Sequence, residues 1–421
     1  MAIVDDAPQV DTAEEAAFRE RVRTFLEGHV KRRKSQRDQD DEDVLVVVDD
    51  ESETLIAEAK AYQKALSDAG LAFITWPPPF GPGLSKRHLE IFNEEASNYE
   101  IPNSVFQIGH GMCAPTILEF GTDEQRQKYL PQLLNGEKIW CQLYSEPGAG
   151  SDVASLQTRA VRDGDEWVVN GQKVWTSGAH YSDYGILIAR TNVDAPKHKG
   201  ITMFIVDMKT PGIECRPLKQ ITKAANFNEV YFTDVRIPHE NVLGTVDDGW
   251  RLAVALLMNE RVAIGASGGG ARGGGVNALI RNARRNGAIN DPVIRQGLAD
   301  VYTLERLMGF TGQRIRAAQK AGRAPGPEGS LGKLLGAIIA RRLSDLGMAI
   351  AGASGQAWGP DDPHGERWAL AVLNAPASAI AGGTNEIQKN IIGERILGLP
   401  KEPQVDRDQP FKELKVGTQR D

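Results

Sequence analysis

Apolar and polar positions along the 421-residue chain change period twice, which divides it into three parts. Up to about residue 135 the apolar positions recur with helical spacing. Thr12 stands where an N-cap belongs, Glu15 follows three residues on, and Phe18, Val22 and Phe25 continue along one helical face. Asp123 to Leu130 reads as a short surface helix that Pro131 should end or kink. Between about 136 and 245 the pattern alternates with period two. Asn170-Gly171 separates Trp167-Val168-Val169 from Gln172-Lys173-Val174-Trp175, a spacing that predicts a β-hairpin. Further strands are expected at Tyr184 to Ala189, Ile201 to Val206 and Glu229 to Phe232. This part is expected to be an antiparallel β-domain, a small barrel or sandwich.

From Asp247 onward the spacing is helical again. Asp291 is a suitable N-cap with Pro292 behind it, and Ile294, Leu298, Val301, Leu304 and Met308 share one face until the helix stops near Gly322. A second helix from about Ser330 places Leu331, Leu334, Leu335, Ile338, Leu343 and Leu346 together, and a last one follows Thr384 with Ile387, Ile391 and Ile392. Long stripes of this kind pack as a bundle. The expected class is α+β, with a helical domain at 1–135, a β-domain at 136–245 and a four-helix bundle at 246–421.

Two stretches break the pattern. The acidic segment 38–52 reads either as a solvated loop or, at Val44 to Val48, as a short strand. Six glycines fall between 268 and 275, and in an unbroken helix they would cost roughly 6 kcal/mol against alanine. Close helix packing or a local break there would offset that cost. A phosphate cradle is disfavoured, because no strand precedes the run.

Composition narrows the function classes. The net charge is −7, and no basic stripe with interleaved aromatics occurs, so nucleic acid is not an expected partner. The first residues carry acids where a leader would carry a basic region, and no apolar run approaches the roughly 18 residues of a spanning helix. The three cysteines, Cys113, Cys141 and Cys215, have no metal-ligand spacing, so no metal is expected. A reduced, soluble, cytoplasmic protein is the simplest expectation, with no membrane partner.

The richest chemistry lies in Ser145-Glu146-Pro147-Gly148-Ala149-Gly150-Ser151-Asp152 and the later Lys173-Val174-Trp175-Thr176-Ser177. Glycines let backbone amides approach a ligand, short hydroxyls donate and accept, and a tryptophan offers a flat apolar face. Such a set suits a flavin, stacked on one face and hydrogen-bonded along its edge. The plainer reading is a turn beside a half-buried tryptophan. Together with Gly382-Gly383-Thr384-Asn385-Glu386-Ile387-Gln388, these stretches resemble the signatures of the acyl-CoA dehydrogenase family, and the likeness covers nearly the whole chain.

That resemblance implies FAD, an acyl-CoA thioester substrate and a homotetramer, with a hetero-tetramer as the alternative. It implies an electron-transfer flavoprotein as acceptor. Gln142, Tyr144, Ser145, Gly150 and Ser151 would line the flavin, Trp175 would stack on it, and Ser177 would bond near N5. Thr384 and Glu386 would face the pyrophosphate at a helix start; the competing reading makes Thr384 merely an N-cap, and both roles can hold together. Ser151 and Arg261 would contact the substrate, Ser151 at its CoA moiety. The family's reaction takes a proton from the carbon next to the thioester carbonyl and a hydride from the next carbon. Many members carry the base as glutamate in a Tyr-Glu-Gly-Thr motif, but the matching residues here are Ala381-Gly382-Gly383-Thr384. Gly382 cannot be a base.

Glu260 is the alternative. Ala253, Leu256, Leu257, Glu260 and Ile264 share one helical face, and a carboxylate on an apolar stripe has its pKa pushed up towards a useful range. The plainer reading is a surface glutamate. Isovaleryl-CoA and long-chain acyl-CoA dehydrogenases carry their glutamate at this helix position, directly before an arginine, as in Asn259-Glu260-Arg261. Two departures lie at the adenine end, Arg284-Arg285-Asn286-Gly287 and Ala349, where the family usually has an arginine, an aromatic and glutamines. His110 and Met112 resemble a loop near the acyl pocket of bacterial relatives, though a lone histidine is commonly structural. Two other readings stay open: a silent subunit of a mixed tetramer, and an oxidase or monooxygenase on the same scaffold. Nitroalkane oxidase keeps an aspartate where Gly382 stands, which argues against that version.

Overall fold

The computed structural model describes residues 10–33, 52–266, 275–322, 326–357, 359, 365–404 and 406–416. The valine run of the acidic segment and the glycines from 268 to 274 lie outside the described residues.

Helix α1 (Ala13–His29) starts at the expected capping box: the Glu15 amide donates to Thr12 Oγ1 at 3.2 Å, and the Thr12 amide to Glu15 Oε2 at 2.7 Å. Its buried face, Phe18, Val22, Phe25 and Leu26, packs with residues of α2 (Glu53–Asp68) and α3 (Lys86–Ala96). After α4 (Ala114–Phe120), helix α5 (Asp123–Leu134) runs through Pro131 rather than ending there. The proline removes one amide donor, but Leu133 and Leu134 are buried in the core beyond it and hold the last turn.

The middle of the chain forms an eight-stranded sheet: β1 (Trp140–Leu143), β2 (Arg159–Asp163), β3 (Glu166–Ser177), β4 (Tyr184–Arg190), β5 (Ile201–Asp207), β6 (Ile213–Leu218), β7 (Phe227–Pro238) and β8 (Val242–Leu243). Its order is β6-β7-β3-β2-β4-β5-β8, with β1 also paired to β4. The sheet is mixed, which corrects the antiparallel expectation: β1 runs parallel to β4 over Trp140–Leu143, and β2 meets β4 in parallel at Arg190. Alternation cannot distinguish the two directions, because side-chain period is the same in both. β4 and β5 are buried on both faces. Ile186 and Ile188 point to a core shared with α4 and α5, while Leu187 and Ala189 join Val169, Phe204, Val230 and Val235 in a second core enclosed by the sheet.

The Asn170-Gly171 hairpin does not form. β3 passes straight through both residues with a bulge there, and the turn lies earlier, at Gly164-Asp165 between the paired Asp163 and Glu166. Asn170 is engaged across the sheet instead: its Oδ1 accepts the Asp234 amide and its Nδ2 donates to Asp234 Oδ1, each at 2.9 Å. Gly171 sits at φ +151°, where a Cβ would lie 2.6 Å from Thr158 Cα.

Helix α6 (Gly249–Ala266) follows the sheet, and then α7 (Gly275–Arg285), α8 (Pro292–Lys320), α9 (Gly329–Ala351), α10 (Ala353–Gln356), α11 (Gly365–Ser378) and α12 (Asn385–Ile391). The expected cap of α8 is present, with the Val293 amide donating to Asp291 Oδ1 at 2.7 Å. α7, α8, α9 and α11 share one core. The inward face of α9 differs from the expected stripe. Of its six leucine and isoleucine positions only Leu343 is fully buried, while Ile338 is exposed; Ala337, Ile339, Ser344, Gly347 and Ile350 line the inside. Trp368 of α11 sets one of these positions, because a Cβ on Gly347 would lie 1.9 Å from its ring. A bulky ring on one helix selects small residues on the other.

Candidate cofactor and active site

The candidate flavin surface forms at the end of β3. Between Lys173, paired to Val230, and Thr176, paired to Asn228, two residues of β3 oppose one of β7. In an unbroken strand Lys173 and Trp175 would share a face. At this bulge Trp175 takes φ +60° and is 61% exposed, while Lys173 and Thr176 stay buried on either side of it. Phe227 touches the tryptophan ring edge-on, with centroids 5.9 Å apart.

The glycine-rich turn is fastened to the same strand. The Val174 amide donates to Ser145 O at 2.9 Å, and Glu146 and Ala149 exchange backbone hydrogen bonds at 3.0 Å. Beneath the turn, Lys173 Nζ donates to Tyr144 O at 2.9 Å and to Glu146 Oε1 at 2.8 Å. The Glu146 carboxylate also accepts the amides of Gln157 (2.6 Å) and Thr158 (2.9 Å). Burial alone would raise the Glu146 carboxyl, but the Lys173 charge and these hydrogen bonds hold it below its ordinary value. Burial likewise pulls the Lys173 ammonium down, against the pull of Glu146.

A second buried cation supports the far end of the turn. Arg190 donates to the carbonyls of Ala154 and Lys197, each at 2.6 Å, and lies 3.8 Å from the Phe411 ring centroid. Burial lowers its guanidinium to about 10, so it stays charged at neutral pH. Lys197 joins Asp152 at 3.0 Å to Asp406 at 2.9 Å.

Ser145, Trp175 and Ser177 thus lie around one end of the sheet with Gln142 and Tyr144, and the exposed Gly150 and Ser151 lie on the turn held against it. Glu386 is on α12, which packs on α9, and Thr384 stands directly before it. Thr384 acts as the cap, its hydroxyl accepting the Ile387 amide at 3.2 Å, and Glu386 is exposed. Gly382 and Gly383 have φ of +65° and +89°, and Gln388 Nε2 donates to both their carbonyls. This turn suits glycine on backbone grounds as well as lacking a carboxylate. Glu260 and Arg261 fall in α6, four and five residues beyond the fully buried Leu256, and their side chains lie outside the described residues. His110 is structural: its Nε2 bonds Leu133 O at 2.9 Å, and its ring stacks on Phe106.

The residues present fit a flavin. Thr176 Oγ1 is buried with no hydrogen-bond partner among the described residues, and Thr176 follows the exposed Trp175 in sequence. A Cβ added to Gly150 would meet nothing within 4 Å, so the turn faces open space. Asn385 Oδ1 and Gln388 Oε1, next to Gly383, are further buried acceptors without partners among the described residues. Among the described residues no cluster of metal ligands occurs, and no helix is long and apolar enough to cross a membrane. The sequence pattern marks no role for Lys173 and Glu146, because a lysine at an interior strand position looks the same in sequence whether buried or exposed.

Three family models match the chain: the acyl-CoA dehydrogenase N-terminal domain over 12–137, the middle domain over 141–235 and the C-terminal domain over 247–397. Acyl-CoA dehydrogenase IpdE1 of Mycobacterium tuberculosis is 41% identical over 82% of this chain and 89% of its own length. Acyl-CoA dehydrogenase FadE34 of the same organism is 42% identical over 80% of this chain, but the chain spans only about half of that protein, 46%. Among solved structures, the Tcur3481-Tcur3483 steroid ACAD is 28% identical with a TM-score of 0.74, covering 93% of this chain and 99% of that one. The ChsE4-ChsE5 complex from Mycobacterium tuberculosis is 28% identical with a TM-score of 0.72, covering 94% and 100%.

Proposed function

The chain belongs to the acyl-CoA dehydrogenase family, with that family's α+β fold and FAD dependence, and from that premise we propose that it converts an acyl-CoA thioester to a 2-enoyl-CoA with Glu260 as general base. The domain boundaries near 135 and 245 belong to the same reading. The observation that carries it is the exposed Trp175 ring, followed in sequence by Thr176, whose buried hydroxyl has no partner among the described residues. Gln142, Tyr144, Ser145, Gly150, Ser151, Trp175 and Ser177 would hold the isoalloxazine end of FAD, and Thr384 and Glu386 its phosphate end. FAD bound there supplies the hydride acceptor.

Glu260 takes the proton from the carbon next to the thioester carbonyl. Its position one turn beyond the buried Leu256 supports this, since an apolar setting raises a carboxyl towards working pH. Ser151 and Arg261 would contact the substrate, Ser151 at its CoA moiety. The proposed acyl group belongs to the bulky, steroid-type class. The steroid ACAD likeness favours this, and Gly382, where many relatives have a glutamate, and the neighbouring Gly383 leave space for a bulky chain. An electron-transfer flavoprotein is the proposed acceptor. The two-chain names of both solved relatives favour a mixed assembly with a second, related chain over the homotetramer.

The test is anaerobic bleaching of the bound flavin with a panel of acyl-CoAs, steroid-type ones included. Glu260→Gln should still bind FAD and acyl-CoA while bleaching slows at least roughly 10²–10⁴-fold, the loss typical of a missing general base. Bleaching as fast as the parent's would place the base elsewhere. A parent that bleaches with no acyl-CoA, alone or with its partner chain, favours a silent subunit.

A further inference from the structure

We propose that Lys173, paired with Glu146, is a positioning residue that holds the glycine-rich turn and the outward-facing Trp175 in one preformed shape; the inference rests on the FAD-dependent reading above. The candidate flavin surface has two halves that are distant in sequence, the turn from Ser145 to Gly150 and the end of β3. Lys173 Nζ joins them, reaching from the strand to Tyr144 O (2.9 Å) and Glu146 Oε1 (2.8 Å). The carboxylate then passes the constraint on to the amides of Gln157 and Thr158, which closes the segment 146–158 into a loop tied at both ends.

Lys173 is also the residue at which the bulge begins. Its ammonium is fully buried, so it stays where its partners are. Loss of that anchor would free Val174 and Trp175 to return to regular pairing with β7, and a shift of one residue moves a strand side chain to the opposite face. Trp175 would then leave the surface it shares with the turn. Stability alone does not call for such a pair, since well-packed apolar residues of similar volume commonly serve a buried site as well or better. A charged pair with directed hydrogen bonds supplies what apolar packing lacks, one defined geometry.

The experiment compares the full-length parent with Lys173→Met/Glu146→Gln, which removes both charges without leaving one alone. Melting of the apoprotein, FAD affinity by flavin fluorescence and visible circular dichroism at saturating FAD are recorded for each. The double variant is expected to melt near the parent and to bind FAD roughly 10- to 100-fold more weakly, the scale set by loss of groups that orient a site. Its bound flavin should give an altered dichroism spectrum. A spectrum and affinity matching the parent's would overturn the proposal, whatever the melting temperature, because the pair would then serve stability only. If the double variant does not fold, Glu146→Gln alone decides by the same spectrum at saturating FAD: a changed band supports the proposal and an unchanged one overturns it. A parent that takes up no FAD removes the cofactor reading itself, and is seen before any variant is compared.

Discussion

At the N-terminal end, Asp11, Arg19, Arg87, Glu94 and Glu95 tie α1 to α3 through ion pairs whose side chains keep 12–49% of their surface exposed. Under the Trp175 bulge, Lys173 and Glu146 make one pair at 0% and 7% exposure. The first cluster has more bonds, but water and salt screen each of them, and a lost partner is replaced by solvent. The second has no solvent to fall back on. Removing one member there leaves a charge in a low-dielectric setting, so a single pair constrains its neighbours more than a network does at the surface.

The largest expected effect tests that contrast directly. Lys173→Met should cost about 3–5 kcal/mol in urea unfolding, the range for breaking a buried pair from one side. The double variant with Glu146→Gln should recover much of it. If Lys173→Met costs no more than Arg19→Met, the contrast between the two regions fails.

A partly buried group that is kept neutral rather than paired with a charge sharpens it. Burial lowers His110 from 6.5 to about 4, partly offset by its bond to Leu133 O. The unfolded chain binds a proton between those values and the folded one does not, so stability should rise with pH across that window. The slope attributable to His110 is about 1.4 kcal/mol per pH unit. Unfolding of the parent and of His110→Phe at several pH values checks this, and equal slopes would contradict it.

The surface network should give the smallest changes. Arg19→Met should lower the melting temperature slightly at low salt, and most of the difference should vanish in high salt. Hydrogen bonds from Arg19 and Arg87 hold Asp11 below its usual 3.8, at about 2. Because the folded value is depressed, that contribution is present above 3.8 and is lost as pH falls towards 2. Acid titration of Arg19→Met should show a shallower loss in that range than the parent.

Local chemistry was legible wherever neighbours in sequence act on one another. The Thr12 capping box, the Asp291 cap of α8 and the Thr384 cap of α12 all follow from short-range spacing, and each is present. The same kind of signal misled at Asn170-Gly171, where a cross-strand partner, Asp234, took both polar ends of the asparagine and the strand continued. At Pro131 the burial of Leu133 and Leu134 outweighed one missing hydrogen bond. The motif around Trp175 was visible in sequence. Which face its tryptophan takes was not, since that depends on a bulge formed with β7.

By itself the sequence determined the family and the succession of helical, β and helical parts, and it showed the residue types of the glycine-rich turn, because these rest on residue types, period and short-range spacing. Only the tertiary structure decided which strands run parallel, which residues of α9 face Trp368, and that Lys173 and Glu146 meet with both charges withdrawn from water. Those outcomes depend on contacts between residues distant in the chain, and burial by such contacts sets the worth of a charge or a ring.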